Sequence, residues 1–309
     1  MTGHKKKVDE GRSVRLFLIG LVGLGLVLFV LLRDADIALL NPKGLIAAEE
    51  RDLLYLTTAV LMLIAVPTMF LFYFFAWKYR ESNEKAAYDP HTRHGKLFMF
   101  SIWAIPSVFM LVLAPILWSS THRLAPQKAI APDTKPLAIQ VVAMRWKWLF
   151  IYPEQNIATV NFVQIPTGTP VQFELTADEV SMSSFWIPHL SGQLYAMTGH
   201  VNRLNMMAGT PGDYPGSSAE INGAGFAGMK FIARASSLET YDSWVQDVQA
   251  NSGVLDSAGY EELLRPSENN RVAFYNLADK DLYDKVVMKY TEPDNSNNQK
   301  SDDRKTDHE

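Results

Sequence analysis

Ser183-Ser184-Phe185-Trp186-Ile187-Pro188 and, further on, Ser218-Ala219-Glu220-Ile221-Asn222-Gly223-Ala224-Gly225-Phe226-Ala227-Gly228-Met229 are the two runs on which the reading of this chain turns. Taken alone, the Ser-x-Glu-x-Asn-Gly segment is a polar turn ahead of a strand, because Ser, Asn and Gly suit the tight backbone conformations of turns. The chain has zero cysteines, so neither run supplies a thiolate ligand. No disulfide framework indicates a redox compartment either.

Outward from these runs, 309 residues suffice for one sizeable domain plus extra elements, or for two small domains. A formal net charge of −4 gives no reason to expect a nucleic-acid partner. Apolar runs dominate the first 120 residues, and everything after Pro136 has the make-up of an ordinary soluble domain.

That domain follows a linker punctuated by Pro126, Pro132 and Pro136, and opens with a β-rich stretch from Leu137 to Tyr152. Val171, Phe173 and Leu175 alternate with Gln172, Glu174 and Thr176, the period of a half-buried strand, and the preceding Pro-Thr-Gly-Thr-Pro is its turn. Further short strands are expected around Arg203–Met207 and Met229–Ala235. Many short strands with Gly/Pro turns predict a β-sandwich. Residues 237–265 and 277–289 read as helices. Leu238, Tyr241, Trp244, Val245 and Val248 share one face, with Asp242, Gln246 and Asp247 opposite. This accessory segment is expected to pack on the sheet or on a partner. The tail from Glu292 has nothing to bury and is expected to be disordered.

Upstream, Lys5, Lys6, Lys7, Arg12 and Arg15 lead into an apolar run from Leu16 to Leu32, which rises about 26 Å as a helix and just spans a hydrocarbon core. It is long for a signal-peptide core, and Arg33-Asp34-Ala35-Asp36 offers no small-x-small cleavage site, so an uncleaved first span is expected. The runs Leu53–Ala76 and Leu97–Trp118 carry no charged residue. Their Pro67, Pro106 and Pro115 are tolerated in lipid-embedded helices. Lys78, Arg80, Lys85, Arg93 and Lys96 crowd the loop between them. The Arg33–Asp52 loop has Arg33, Lys43 and Arg51 against Asp34, Asp36, Glu49, Glu50 and Asp52, so the N-terminus and the 77–96 loop are predicted to be cytoplasmic. Three crossings then put the later residues in the periplasm of a bacterium. The predicted organisation is a basic N-terminus (1–15), a transmembrane region (16–119), a sandwich (125–235), an accessory helical segment (236–290) and a tail (291–309).

The two opening runs resemble subunit II of the haem–copper respiratory oxidases. In that family a binuclear copper site, CuA, uses the His of His-Ser-Phe-Trp-Ile-Pro and a later Cys-x-Glu-x-Cys-Gly-x-x-His-x-x-Met. The frame fits without a gap. Ser183 stands at the first His, Ser218 and Asn222 at the two Cys, and Phe226 at the second His, whereas Glu220, Gly223 and Met229 are kept. The stretch from Trp146-Lys147-Trp148 to Asn161 is especially similar to the bo-type ubiquinol oxidases, and the likeness extends from about Asn41 to Tyr290. Relatives often place a lipoprotein cysteine shortly before Leu-Leu-x-Pro-Lys-Gly; Leu39-Leu40-Asn41-Pro42-Lys43-Gly44 is here, but Ala35 takes the cysteine's place.

The resemblance implies a membrane-anchored α+β fold: N-terminal transmembrane helices, a cupredoxin-like β-sandwich, then accessory C-terminal helices. It implies subunit II of a quinol oxidase, with haems and copper in partner subunit I, subunits III and IV alongside, the bilayer as surroundings, and quinol reaching subunit I. Two thiolates and two imidazoles hold CuA, and Ser, Asn and Phe do not replace them. No catalytic, cofactor-binding or metal-ligating residue is therefore expected in this chain. His189 and His200, with Met182, Met197, Met206, Met207 and Met229, match no ligand spacing and are read as packing. Trp146 and Trp148, which could serve electron entry in copper-containing relatives, are likewise assigned to core and interface packing. Relatives tend to carry a carboxylate, linked to proton entry, three or four residues before the Trp of the last span. Met99 and Phe100 occupy those positions, leaving Glu84, Asp89 or a partner residue to supply the role. The other reading is a membrane-anchored β-sandwich acting as a binding or assembly module.

Overall fold

The computed structural model describes residues 19–20, 23–27, 30, 37–81, 83 and 95–291. The expectations for the basic N-terminus, most of the first span, Ala35, Glu84, Asp89 and the tail from Glu292 lie outside them. In the N-terminal unit, up to Asn41, residues 23–27 are helical and the Leu40 N–H closes a turn on the Ile37 carbonyl.

The second unit starts at Pro42. Its first elements are two long helices, α1 (Leu45–Lys78) and α2 (Lys96–Arg123), both apolar and long enough to cross a membrane. Their large side chains are exposed on all sides, Phe70 by 67%, Leu97 by 80% and Trp103 by 74%. A helix apolar all round in water would be unstable, so these surfaces call for lipid or a protein partner. Inside them Thr68, Ser101 and Ser107 donate their hydroxyls to carbonyls four residues back, which satisfies a polar group where water is absent.

The start of α1 is stitched into the sandwich. The N–H groups of Lys43 and Gly44 donate to the His189 carbonyl, and Gly209 N–H donates to the Lys43 carbonyl. A Cβ at Gly44 would lie 2.2 Å from the Leu190 carbonyl oxygen, so only glycine lets the chain pass so close.

The sandwich is built from β1 (Leu137–Met144), β2 (Lys147–Tyr152), β3 (Ile157–Val160), β4 (Phe162–Pro166), β5 (Val171–Ala177), β6 (Met182–Trp186), β7 (Leu194–Met197), β8 (Asn202–Met206), β9 (Gly212–Ser218) and β10 (Lys230–Ser236). The chain continues through α3 (Leu238–Asn251), β11 (Gly253–Leu255), α4 (Ser257–Leu264), β12 (Ala273–Leu277) and α5 (Leu282–Met288). One sheet has the order β11-β12-β3-β2-β1-β5-β8 and the other β4-β10-β9-β6-β7. The helix expected at 277–289 is present from Leu282 to Met288, whereas the one expected at 237–265 is corrected: β11 splits it into α3 and α4, and β12 and β11 extend the larger sheet beyond β3.

Side chains of β1 alternate between two cores. Ile139, Val141 and Ala143 face the space between the sheets, with Trp148, Phe150, Phe185 and Phe231. The Phe185 and Phe231 rings stack at 5.1 Å, and Trp148 meets both edge-on at 5.3 and 5.8 Å. Val142 and Met144 face the other way, under Leu255, Tyr260, Leu264, Leu282 and Val286 of the C-terminal arm. A strand covered on both faces needs apolar residues at every position, which is why Leu137–Tyr152 is nearly continuous in apolar residues.

Two buried ionic groups fasten that arm. Lys147, only 2% exposed, donates to the carbonyls of Leu263 and Arg265 at the end of α4. Burial pushes its pKa below the ordinary lysine value, and nearby Glu262 opposes that shift. Asp178, 1% exposed, accepts from the Tyr260 and Tyr290 hydroxyls at 2.7 and 2.6 Å and from the Lys289 ammonium at 2.9 Å.

Burial first, then the Asp178 carboxylate, raises the Tyr260 phenol above the ordinary tyrosine value, and burial also raises Tyr290. With folded pKa values above an unfolded value of about 10, the linked stability is complete below that pH. It is lost as pH climbs through the folded values, since the unfolded chain releases these protons first. For Tyr260→Phe in detergent-solubilised full chain, the expected outcome is a loss of about 1–2 kcal/mol at neutral pH, with a shallower fall of the thermal midpoint in alkali. A neutral-pH loss with an unchanged alkaline slope would refute this coupling.

Candidate functional site

The two runs that opened the sequence reading meet at one end of the smaller sheet. β6 delivers Ser183, fully buried, and β9 ends at Ser218, which lies opposite Phe185 across the ladder. The Ala219 N–H donates to the Ser184 carbonyl at 2.9 Å, and the Ser218 N–H to the Met229 carbonyl at 3.3 Å, closing the loop at its base.

Within the loop the Asn222 amide nitrogen donates to Ser183 Oγ at 2.8 Å and to Met229 Sδ at 3.2 Å. Ser218 Oγ donates to the Glu220 carbonyl at 3.0 Å. Ser183, Asn222 and Met229 are therefore in direct contact, and Ser218 is tied to Glu220. Phe226 opens a single 3-10 turn, Phe226–Gly228, and its N–H donates to Gly223 O at 3.2 Å. Its side chain is half-buried, and among the described residues no hydrogen bond or aromatic contact ties its ring to the other four.

Trp146 is the platform beneath this loop. Arg145 and Trp146 form a two-residue hairpin between β1 and β2, and Trp146 has φ of 63°, a costly conformation for a bulky residue. Its ring lies against the glycines of the loop: a Cβ on Gly225 would stand 2.4 Å from the indole, and Gly223 has φ of 125° with the ring 3.2 Å away. The only local signal is Arg145 and Lys147 flanking Trp146 within an otherwise apolar stretch, and it does not announce a turn. Trp148 instead lies wholly within the core. The cleft beside Trp146 and Asn222, about 480 Å³, is bordered by Arg145, Glu179, Met182 and Glu220.

A hydroxyl pair, an amide and a phenyl ring stand where the family centre needs two thiolates and two imidazoles. Neutral oxygen and nitrogen donors do not fit a copper pair. Asn222 also keeps a buried Oδ1 with no hydrogen-bond partner among the described residues, at a cost of about 1–3 kcal/mol.

The His and Met residues weighed as an alternative ligand set are dispersed. His200 is exposed and bonded to the Thr198 carbonyl, His189 packs 5.7 Å from the Tyr214 ring, Met182 pairs with Met197 across β6 and β7, and Met206 is in the core. Among the described residues no group of three or more His, Cys, Asp or Glu could hold a metal ion. Met99 and Phe100, at the start of α2, are half or more exposed on an apolar surface.

The family model for the periplasmic domain of cytochrome c oxidase subunit II matches residues 154–236, and that for the COX aromatic rich motif matches residues 249–294. The chain is 44% identical to cytochrome bo(3) ubiquinol oxidase subunit 2 of Pseudomonas putida, over 92% of this chain and 88% of the relative. It is 41% identical to ubiquinol oxidase subunit 2 of Acetobacter aceti, over 86% of this chain and 87% of the relative. A solved periplasmic domain of cytochrome oxidase subunit II from Bradyrhizobium japonicum is similar at a TM-score of 0.36 and 20% identity, over 40% of this chain and 97% of that one.

Because the loop brings Ser183, Asn222 and Met229 into contact, with Ser218 at its base and Phe226 on the adjoining turn, restoring the donors should restore the centre. Ser183→His, Ser218→Cys, Asn222→Cys and Phe226→His, combined in the full chain expressed without other subunits, are expected to cost about 1 kcal/mol at half-buried Phe226. Copper binding to the folded form should offset that cost. Added copper should give the intense visible bands of a mixed-valence, thiolate-bridged pair. Only the weak spectrum of an isolated Cu(II) would mean that the register from Ser218 to Met229 is wrong.

Proposed function

We infer the role of this chain from one premise: it belongs to the ubiquinol oxidase subunit 2 family. It is subunit II of a quinol:O2 oxidoreductase, and the enzyme's redox steps take place elsewhere than in this chain. A soluble one-electron donor in the outer compartment needs a metal relay in the outer domain. A quinol arrives through the lipid and can hand electrons directly to the haems of subunit I, so that relay is dispensable. Quinol oxidation, oxygen reduction and proton translocation are then the work of subunit I, which holds the haems and copper, with subunits III and IV completing the complex. This chain supplies a helical interface and a rigid lid over the outer face. The observation that supports the reading is the loop at Ser183, Ser218, Asn222 and Met229: hydrogen bonds bring Ser183, Asn222 and Met229 together, and neither a thiolate nor an imidazole stands among them.

The apolar surfaces of α1 and α2 support a multi-pass protein of the bacterial inner membrane, with the sandwich in the periplasm. Lys78, Arg80 and Lys96 mark the cytoplasmic side. Alkaline phosphatase fused after residue 85 is expected to be inactive, and fused after residue 290 active; the reverse pattern would overturn the orientation.

The complex purified through a tag on this chain should show haem bands in reduced-minus-oxidised spectra. It should consume O2 with ubiquinol and not with reduced soluble cytochrome c. Purification without haem, or oxygen uptake driven by cytochrome c, would sink the assignment.

A further inference from the structure

We propose that the outer end of the helical hairpin carries a binding site for a zwitterionic phospholipid headgroup with a primary amine, of the phosphatidylethanolamine class. The site is a cavity of about 220 Å³ enclosed by the first turns of α1, the end of α2 with the linker after it, and the Ser191–Gln193 loop. Two acids, Glu49 and Glu50, and two cations, Arg123 and Lys128, line it.

These charges are not used up on one another. Arg123 pairs with Glu49 at 3.2 Å, whereas the Glu50 carboxylate lies beside the Gly192 backbone. Among the described residues no cation pairs with Glu50 and no carboxylate pairs with Lys128, although both border one cavity. Gly192 lies close against the Glu50 carboxylate: a Cβ there would stand 2.9 Å from Glu50 Oε1. A purely anionic ligand would face Glu49 and Glu50, and a purely cationic one Arg123 and Lys128. A ligand carrying both signs leaves neither uncompensated: its ammonium donates to Glu50, and its phosphate accepts from Lys128 and Arg123.

The depth of the cavity selects a lipid as the source of that chemistry. The uncharged run of α1 begins at Leu53, so Glu50 stands about 4.5 Å beyond it. The apolar run of α2 ends at Trp118, and Arg123 stands about 7.5 Å beyond it. Headgroups occupy roughly 5–7.5 Å on each side of the hydrocarbon core, so Glu50 lies at headgroup level and Arg123 at its outer edge, and Glu49 and Lys128 border the same cavity. The exposed apolar surfaces of both helices continue below, where acyl chains would run. The proposal rests on α1 and α2 being membrane spans.

The test uses the full chain, delipidated in mild detergent and offered phosphatidylethanolamine, phosphatidylcholine or phosphatidylglycerol in mixed micelles, with retained lipid measured by native mass spectrometry. One phosphatidylethanolamine per chain is expected. Phosphatidylcholine, whose quaternary ammonium has no N–H to donate, and phosphatidylglycerol, which has no amine, should be retained about tenfold less. Glu50→Gln and Lys128→Gln should each lower phosphatidylethanolamine retention about tenfold without shifting the thermal midpoint. Equal retention of all three lipids, or retention indifferent to both variants, would overturn the site. Full displacement by equimolar O-phosphoethanolamine would show a site for a soluble zwitterion and overturn the lipid assignment. Flotation of the chain with vesicles checks the spans separately; failure to float would remove that premise along with the proposal.

Discussion

Burial of the larger sheet on both faces is the constraint from which the rest of the outer domain follows. β1 and β2 lie in its middle, with every position from Lys147 to Tyr152 buried. Their inner residues meet the smaller sheet through the Trp148, Phe185 and Phe231 cluster, and their outer residues are covered by the C-terminal arm. Without that arm, Val142, Met144, Leu149 and Ile151 would face water at about 1.5–3 kcal/mol each. The arm is thus part of the fold, and Asp178 and Lys147 fix where it sits. Tyr152 joins the two sheets directly: its buried hydroxyl donates to the Gln164 carbonyl and accepts from the Gln164 N–H.

The same two strands hold up the loop from Ser218 to Met229. Their hairpin places Trp146 in a left-handed conformation, and the loop glycines lie against its ring. That contact is independent of any ligand, so the loop path is set by packing. The ligand positions then carry residues that satisfy one another: Asn222 bridges Ser183 and Met229, and Ser218 binds the Glu220 carbonyl. A loop packed and bonded in this way holds its shape without coordination.

Much of this was legible in the residues, and the gaps have physical causes. Alternation at Val171–Thr176 gave a strand because one face is buried while Gln172 and Glu174 on the other are half-buried, although Thr176 beyond them is buried too. The Ser183 and Ser218 runs gave the site because spacing survives where chemistry does not. β9, by contrast, contains Gly212, Pro215 and Gly216, which locally argue against a strand. It tolerates Pro215 because β6 flanks β9 only at Ser217 and Ser218, so that side of Pro215 has no ladder partner. Gly216 is needed because a Cβ there would stand 2.2 Å from the Phe231 ring. β11 and β12 were hidden by their shortness: three and five residues carry little periodicity, and their pairing with each other and with β3 is set by the sheet they extend. The Asp178 cluster joins residues more than 80 positions apart, from Asp178 to Tyr260 and Tyr290, which no local pattern can announce.

On the proposed function, the absence of copper ligands beside an intact sandwich has a physical reason. A donor arriving through lipid would bypass the outer domain, which would free its loop from the demand for thiolate and imidazole. It stays under the demands of packing, since Trp146 must be covered and β6 and β9 must close on the core. Residues whose only value lay in binding metal can then change to Ser, Asn or Phe. Gly223, Gly225 and Met229, which also fit against Trp146 or fill the core, cannot change as cheaply. Of the three matched positions, Gly223 and Met229 are held by packing, whereas Glu220 contributes its backbone carbonyl to Ser218.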